Sequence, residues 1–241
     1  MYNKRTFVTL LIAFVIIGLL TGCYIQAEQE ENFGNLTTQA YSTDDQSTQT
    51  DEINPWELFH SVGEKIRELD AILEIDDPAF FINGHPISRR EIEISRIWND
   101  ISPNASSLRE SIDSIIRDNV LLQEAQRQNL QPSLERISNY IEPLRLFVEE
   151  GNEWILAQIE GMGLTEEAFF AEQEKLAYNM FLREALWLPI YVEQKNEIEA
   201  EANRRNVNYD IVVQEFYAKF ADDLVRQANI EILDPAIREL F

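Results

Sequence analysis

The chain has 241 residues, 45% of them hydrophobic, which is enough to bury a core. It carries 20 Lys and Arg against 43 Asp and Glu, a net charge of −23. That balance excludes nucleic acid as a partner and disfavours anionic surfaces, because both need clustered cations. One Cys excludes an internal disulfide framework or thiolate metal site, and 8 Gly and 8 Pro are too few for a loop-rich β fold.

Residues 1–22 read as a targeting segment rather than as fold. Lys4 and Arg5 precede an apolar run, Thr6 to Leu20, that is too short for a comfortable membrane span. Leu20-Thr21-Gly22-Cys23 then resembles the bacterial lipobox. The resemblance implies a lipoprotein signal peptide over 1–22, acylation of Cys23 with palmitate-type chains, and a body anchored to the cell membrane on its extracytoplasmic side. Removing residues 1–22, which hold two cations and no acid, would leave a charge of −25. The membrane would be a partner only through the lipid on Cys23.

Residues 23–54 are poor in aliphatic side chains, and the stretch from Tyr24 to Asn54 holds seven acids (among them Glu28, Asp44 and Glu52) with no Lys or Arg. Such composition cannot bury enough apolar surface to offset its ordering entropy. It predicts a disordered acidic tether with a span of about 30 Å, extended further by self-repulsion.

From Asn54 the pattern turns helical. Asn54-Pro55 reads as an N-cap and first position, and Trp56, Phe59, Val62, Ile66 and Leu69 share one face of an amphipathic helix assigned to 55–77. Ala79 to Ile82 is a short apolar strand before an Asn83-Gly84 turn, with His85 and Pro86 also placed in the turn. Ser88/Glu91 and Ser107/Glu110 are capping boxes, the second opening a broad apolar helix that ends near Asn129. Ser133 caps a helix that Pro143 should kink or divide, and a short segment around Trp154 ends at Gly161-Met162-Gly163. Thr165 caps the longest helix, which Pro189 should kink or end. Glu197 to Arg205 reads as a solvated stretch with a Glu201–Arg205 pair, Val212 to Leu224 as the last helix, and Ile230 to Leu233 as a strand closed by Asp234-Pro235.

Four of these segments, in this order, carry a family resemblance. Ala79-Phe80-Phe81-Ile82-Asn83-Gly84-His85-Pro86-Ile87-Ser88 with Glu91 resembles the opening of the SurA/PrsA foldases. Ile112-Asp113 through Glu124-Ala125 is similar to one of their helices, Gly163-Leu164-Thr165-Glu166-Glu167-Ala168-Phe169 to a helix connection, and Ala228 to Pro235 to the C-terminal strand of the PrsA branch. The resemblance spans about residues 79–235. It implies a mainly α, SurA N-terminal or trigger-factor-like peptide-binding domain over 79–241, closed by a two-stranded pairing of its first and last strands. Relatives insert a parvulin-type prolyl isomerase before the last helix. Here the segment between Pro189 and Ile230 is too short for an independent domain, and both His, His60 and His85, precede it, so the isomerase is expected to be absent.

The function expected from this resemblance is that of a chaperone that holds unfolded or secreted polypeptides and is not an enzyme. The alternative is an interaction module that docks one envelope partner. The residues proposed to contact peptide are Trp154, Met162, Phe170, Tyr178, Trp187 and Tyr191, because aromatic and Met side chains offer large, adaptable apolar area. Trp98, Phe169 and Phe181 are assigned to the core. No catalytic residue, metal or cofactor is expected: Asp76-Asp77 and Asp222-Asp223 lack the spacing of a calcium loop, and no nucleophile, zinc or phosphate-loop motif occurs. The reading leaves room for a homodimer.

Overall fold

The computed structural model describes residues 54–73, 77–101 and 105–241. The expected signal peptide, Cys23 and the expected tether as far as Ile53, with Asp76, Pro103 and Asn104, lie outside the described residues. In chain order the elements are α1 (Pro55–Ile72), β1 (Pro78–Ile82), β2 (His85–Ser88), α2 (Arg89–Asp100), α3 (Leu108–Arg127), α4 (Leu134–Glu149), α5 (Glu153–Gly161), α6 (Glu166–Arg205), α7 (Tyr209–Gln227), β3 (Ile230–Ile232) and α8 (Pro235–Arg238). The fold is therefore mainly α with one small antiparallel sheet.

Local chemistry explains most boundaries. Asn54, Ser88, Ser107, Ser133, Asn152, Thr165, Asn208 and Asp234 each accept a backbone N–H at a helix N-terminus. Only Ser107 completes a reciprocal capping box among the two proposed; at Ser88 the side chain accepts from the Glu91 N–H. Asn129 and Asn206 end α3 and α6 in the left-handed region, at φ 55° and 52°, a conformation Asn tolerates.

The sheet has three strands in the order β2-β1-β3, where a two-stranded pairing was expected. β1 and β3 pair as expected and are antiparallel, with Phe80 opposite Ile232 and Ile82 opposite Ile230. The additional strand is β2, which takes in His85 and Pro86. Asn83 and Gly84, at φ 51° and 81°, make a two-residue hairpin turn whose twist suits the flanking strands. Pro86 is compatible with a strand here because β2 lies at the sheet edge. Ala79, Phe80, Ile82 and Ile87 pack from the sheet onto Ile112, Ile116 and Val120 of α3, with Ile237 of α8 closing the cluster.

Helix α6 is the spine, 40 residues and about 60 Å long. It runs through Pro189 without ending, and α4 likewise runs through Pro143 as one helix. An interior proline removes a backbone bond and costs about 3 kcal/mol. Around Pro189 this is offset by burial on both sides: Leu186 and Trp187 before it, Tyr191 and Ile198 after it, with Pro189 itself exposed. The stretch from Glu197 to Arg205 is thus not a solvated segment but the end of α6, with Ile198 fully buried and Ala202 buried against α7. Glu201 pairs with Arg204, whereas Arg205 reaches Glu215 on α7.

Three clusters line this spine: α4 and α5 on its first part, α3 and α7 on its middle, and α7 on its last part. Among the described residues, these clusters and the sheet cluster draw on residues 79–240, and α1 adds Phe59 and Val62. The core among the described residues is thus built from residues 59–240. Among the described residues no helix is long and apolar enough to cross a membrane.

Candidate functional site

The six side chains proposed for peptide contact fall into two groups. Phe170, Trp187 and Tyr191, expected to line an apolar groove for peptide, are buried in the core. Trp187 has no exposed area and packs on Tyr191, Tyr217 and Phe220 with centroids 6.4, 5.4 and 5.6 Å away. Phe170 meets Phe169 edge-on at 5.3 Å and is covered by the Arg145 guanidinium at 4.3 Å. The reason is the length of α6: its aromatic residues are consumed by the three layers packed along it. Tyr178, also on α6, stays exposed. Of the three assigned to the core, Phe169 is buried, while Trp98 and Phe181 are half-buried.

Trp154 and Met162 lie elsewhere, at the two ends of α5, and both are half-buried under α1. Here the structure assembles residues that sequence reasoning did not connect. Phe59 of α1 sits edge-on between Trp98 of α2 and Trp154 of α5, with centroids 6.2 Å from each. One turn on, Gly63 of α1 crosses Gly161 of α5. A Cβ on Gly63 would stand 2.1 Å from the Gly161 carbonyl oxygen, and one on Gly161 would stand 2.6 Å from the His60 nitrogen. No side chain can occupy either position without moving a backbone, so both glycines are needed for the close approach. The Phe59–Gly63 spacing of one helical turn carried this signal, but its partner Gly161 is far away in sequence.

α1 thus bridges α2 and α5, the two elements it packs against most. Its far end is held by Asp70, whose carboxylate takes Nε and Nη2 of Arg90 on α2 at 2.6 and 3.0 Å. That guanidinium, chiefly through its hydrogen bond, holds the Asp70 carboxyl below its ordinary range. Ile97 of α2 and Ile155, Ala157 and Gln158 of α5 are buried, Ile155 within the cluster shared with α4 and α6.

Two polar pairs tie α6 to its neighbours. Arg183, buried on α6, meets Asp118 of α3 at 2.5 Å. The hydroxyls of Tyr191 and Tyr209 lie 3.0 Å apart across the α6–α7 hairpin, and burial above all pushes the Tyr209 phenol up. Among the described residues no group of three or more His, Cys, Asp or Glu side chains could hold a metal ion.

No family model, curated protein or solved structure matches the chain.

Proposed function

We propose that the chain is a lipid-anchored, extracytoplasmic holding protein of SurA/PrsA-like build, which binds unfolded or secreted polypeptides and does not catalyse prolyl isomerisation. The observation that carries this reading is the pairing of β1 with β3, which joins the two ends of a helical body through strands about 150 residues apart. This is the closure that the resemblance implies. The region where relatives carry the isomerase is filled by the second half of α6 and by α7, packed on each other around Trp187 and Val212. A charge near −25 on the mature chain would keep holder and bound client dispersed and favour basic clients.

A second reading, a module that docks one envelope partner, is favoured by the closed state of Phe170, Trp187 and Tyr191. A holder of many clients needs exposed apolar area, and those residues do not supply it.

Residues 54–241, purified, decide between them. The holding protein delays aggregation of several unrelated denatured clients, basic ones most, and leaves the rate of X-Pro exchange unchanged. Isomerase activity intrinsic to the purified chain overturns the domain-loss part. Failure to delay any client, with one envelope protein recovered by crosslinking in cells, establishes the docking module instead.

A further inference from the structure

The geometry points to one stripe of α6, from Tyr178 to Val192, as the docking surface for basic amphipathic helical segments of client chains. This rests on the holding function proposed above and gives that function a surface.

Tyr178, Phe181, Ala185, Leu188 and Val192 follow one another at spacings of 3, 4, 3 and 4. They fall within about 80° of one another around the helix and span about 21 Å of it. α3 takes one flank of α6 through Leu182 and Leu186, and α7 takes the other through Trp187, Tyr191 and Ile198. α4 covers the stripe only as far as Phe181, where Tyr140 packs edge-on at 6.5 Å and the Arg136 guanidinium lies 4.6 Å from the ring centroid. The pairs Arg145–Glu174 and Arg136–Glu184 show that α4 and α6 run antiparallel. By that register Leu134, the first residue of α4, stands level with Ala185 to Leu188, and the stripe runs on beyond it. Leu134 is 78% exposed and Val192 64%, and Leu188 is exposed as well.

Pro189 adds a polar feature to this side of the helix. It has no N–H, so the Ala185 carbonyl lacks its donor four residues on. Ala185 is half-buried and Pro189 exposed, so this acceptor sits among the apolar side chains of the stripe. A Lys or Arg side chain of an occupant can donate to it.

Spacing and charge together select the occupant. Alternating steps of 3 and 4 are the seam that one helix offers to another. The mature chain carries about −25, and at the far end of the stripe Glu193 and Glu199 stand against Lys195, while Arg136 is paired with Glu184. A second copy of this chain would bring the same charge to the face, whereas a basic helix is attracted. Five residues bury far less than a stable complex needs, so clients are held transiently.

The test uses residues 24–241, which contain no Cys and accept a single introduced label. The probe is a fluorescent amphipathic peptide of Leu and Lys, about 15 residues long, with Leu at 3-4 spacing. Leu188→Ser combined with Val192→Ser weakens peptide binding at least fivefold and lowers the protection of denatured clients in parallel. Ile72→Ser, at an exposed position on α1, changes neither. Pro189→Ala returns a helix donor to the Ala185 carbonyl, so it raises the melting temperature while weakening the peptide, a combination that loss of structure does not produce. A benzophenone on Val192→Cys crosslinks the peptide, and one on Ile72→Cys does not. The counterpart peptide with Glu for Lys does not bind.

A Ser double variant that binds peptide and client as the parent does overturns this assignment and leaves the holding function standing. Equal binding of the Lys and Glu peptides does the same. A parent dimer that the Ser double variant converts to a monomer makes the stripe an interface between copies and also overturns it. No binding of peptide or client by the parent overturns both this assignment and the holding function.

Discussion

Asn83 and Asn229, 146 positions apart, hold each other by a reciprocal pair of hydrogen bonds: the Asn83 N–H donates to the Asn229 carbonyl at 2.8 Å, and the Asn229 N–H donates to the Asn83 Oδ1 at 2.8 Å. The Asn83 amide also donates to Gln123 Oε1 at 2.9 Å, and Gln123 Nε2 donates to the Ile82 carbonyl at 3.2 Å. One turn residue thereby ties the β1–β2 hairpin to β3 and to α3. Asn suits the position twice, because it tolerates φ 51° and because its side chain both donates and accepts.

Replacing Asn83 separates these two roles. Asn83→Gly keeps the left-handed turn and loses the side-chain bonds, at a cost of about 1–2 kcal/mol. Asn83→Ala loses the bonds and adds the left-handed penalty, for a total of about 2–4 kcal/mol. Urea unfolding of residues 54–241 should rank parent above Gly above Ala. Equal stability of the Gly and Ala variants would refute a role for backbone conformation.

Deleting residues 229–241 should destabilise the whole body rather than trim a tail. It removes β3, the Leu233 and Asp234 N–H groups that both donate to the Ala79 carbonyl at 3.0 Å, and buried Ile237. Ile237→Ala alone should cost about 2–3 kcal/mol through its cavity. A truncated chain that melts with the parent would contradict the closure.

The Arg183–Asp118 pair should respond asymmetrically. Asp118→Ala leaves a buried guanidinium without its carboxylate and should cost about 3 kcal/mol or more. Arg183→Met removes the buried charge, leaves Asp118 partly solvated and should cost less. Chemical denaturation of both variants checks the order, and the reverse order would sink the argument.

Acid should loosen α1 before it unfolds the body. The folded value of Asp70 lies below its unfolded value because Arg90 donates to the carboxylate. Its contribution is therefore present above the ordinary aspartate range and is lost as pH falls through the folded value, below about 4. Fluorescence from Trp56, Trp98 and Trp154 should change there, and Asp70→Asn should show the loosened signal already at pH 7. At the other extreme the Tyr209 phenol is raised, so its contribution holds below about pH 10 and is lost as pH climbs toward the folded value. Tyr209→Phe should flatten that alkaline loss.

Cys23→Ser should abolish acylation and leave the chain unprocessed or released from the membrane. Metabolic labelling with a fatty acid reads this directly, and label in the Ser variant equal to the parent would end the lipobox reading.

Much of this molecule follows from near-neighbour chemistry. Asn54, Ser107, Ser133 and Thr165 announce helix starts because each cap contacts N–H groups within three residues, and Asn83-Gly84 announces a hairpin because its φ values are local. The β1–β3 pairing was legible only through the resemblance, since nothing local links strands so far apart. The sequence did not reveal that α6 continues past Pro189, because the compensating burial of Trp187, Tyr191 and Ile198 is supplied by α7. Nor did it reveal which aromatics are fully buried: Phe170 and Trp187 look equal to Trp154 along the chain. Tertiary packing decided that question, because α3, α4, α5 and α7 bury one long helix along its length and leave Trp98 and Trp154 to a single terminal helix. The Gly63–Gly161 crossing belongs to the same class: each glycine alone reads as a weak point in a helix, and only the approach of two backbones makes the absence of a Cβ a requirement.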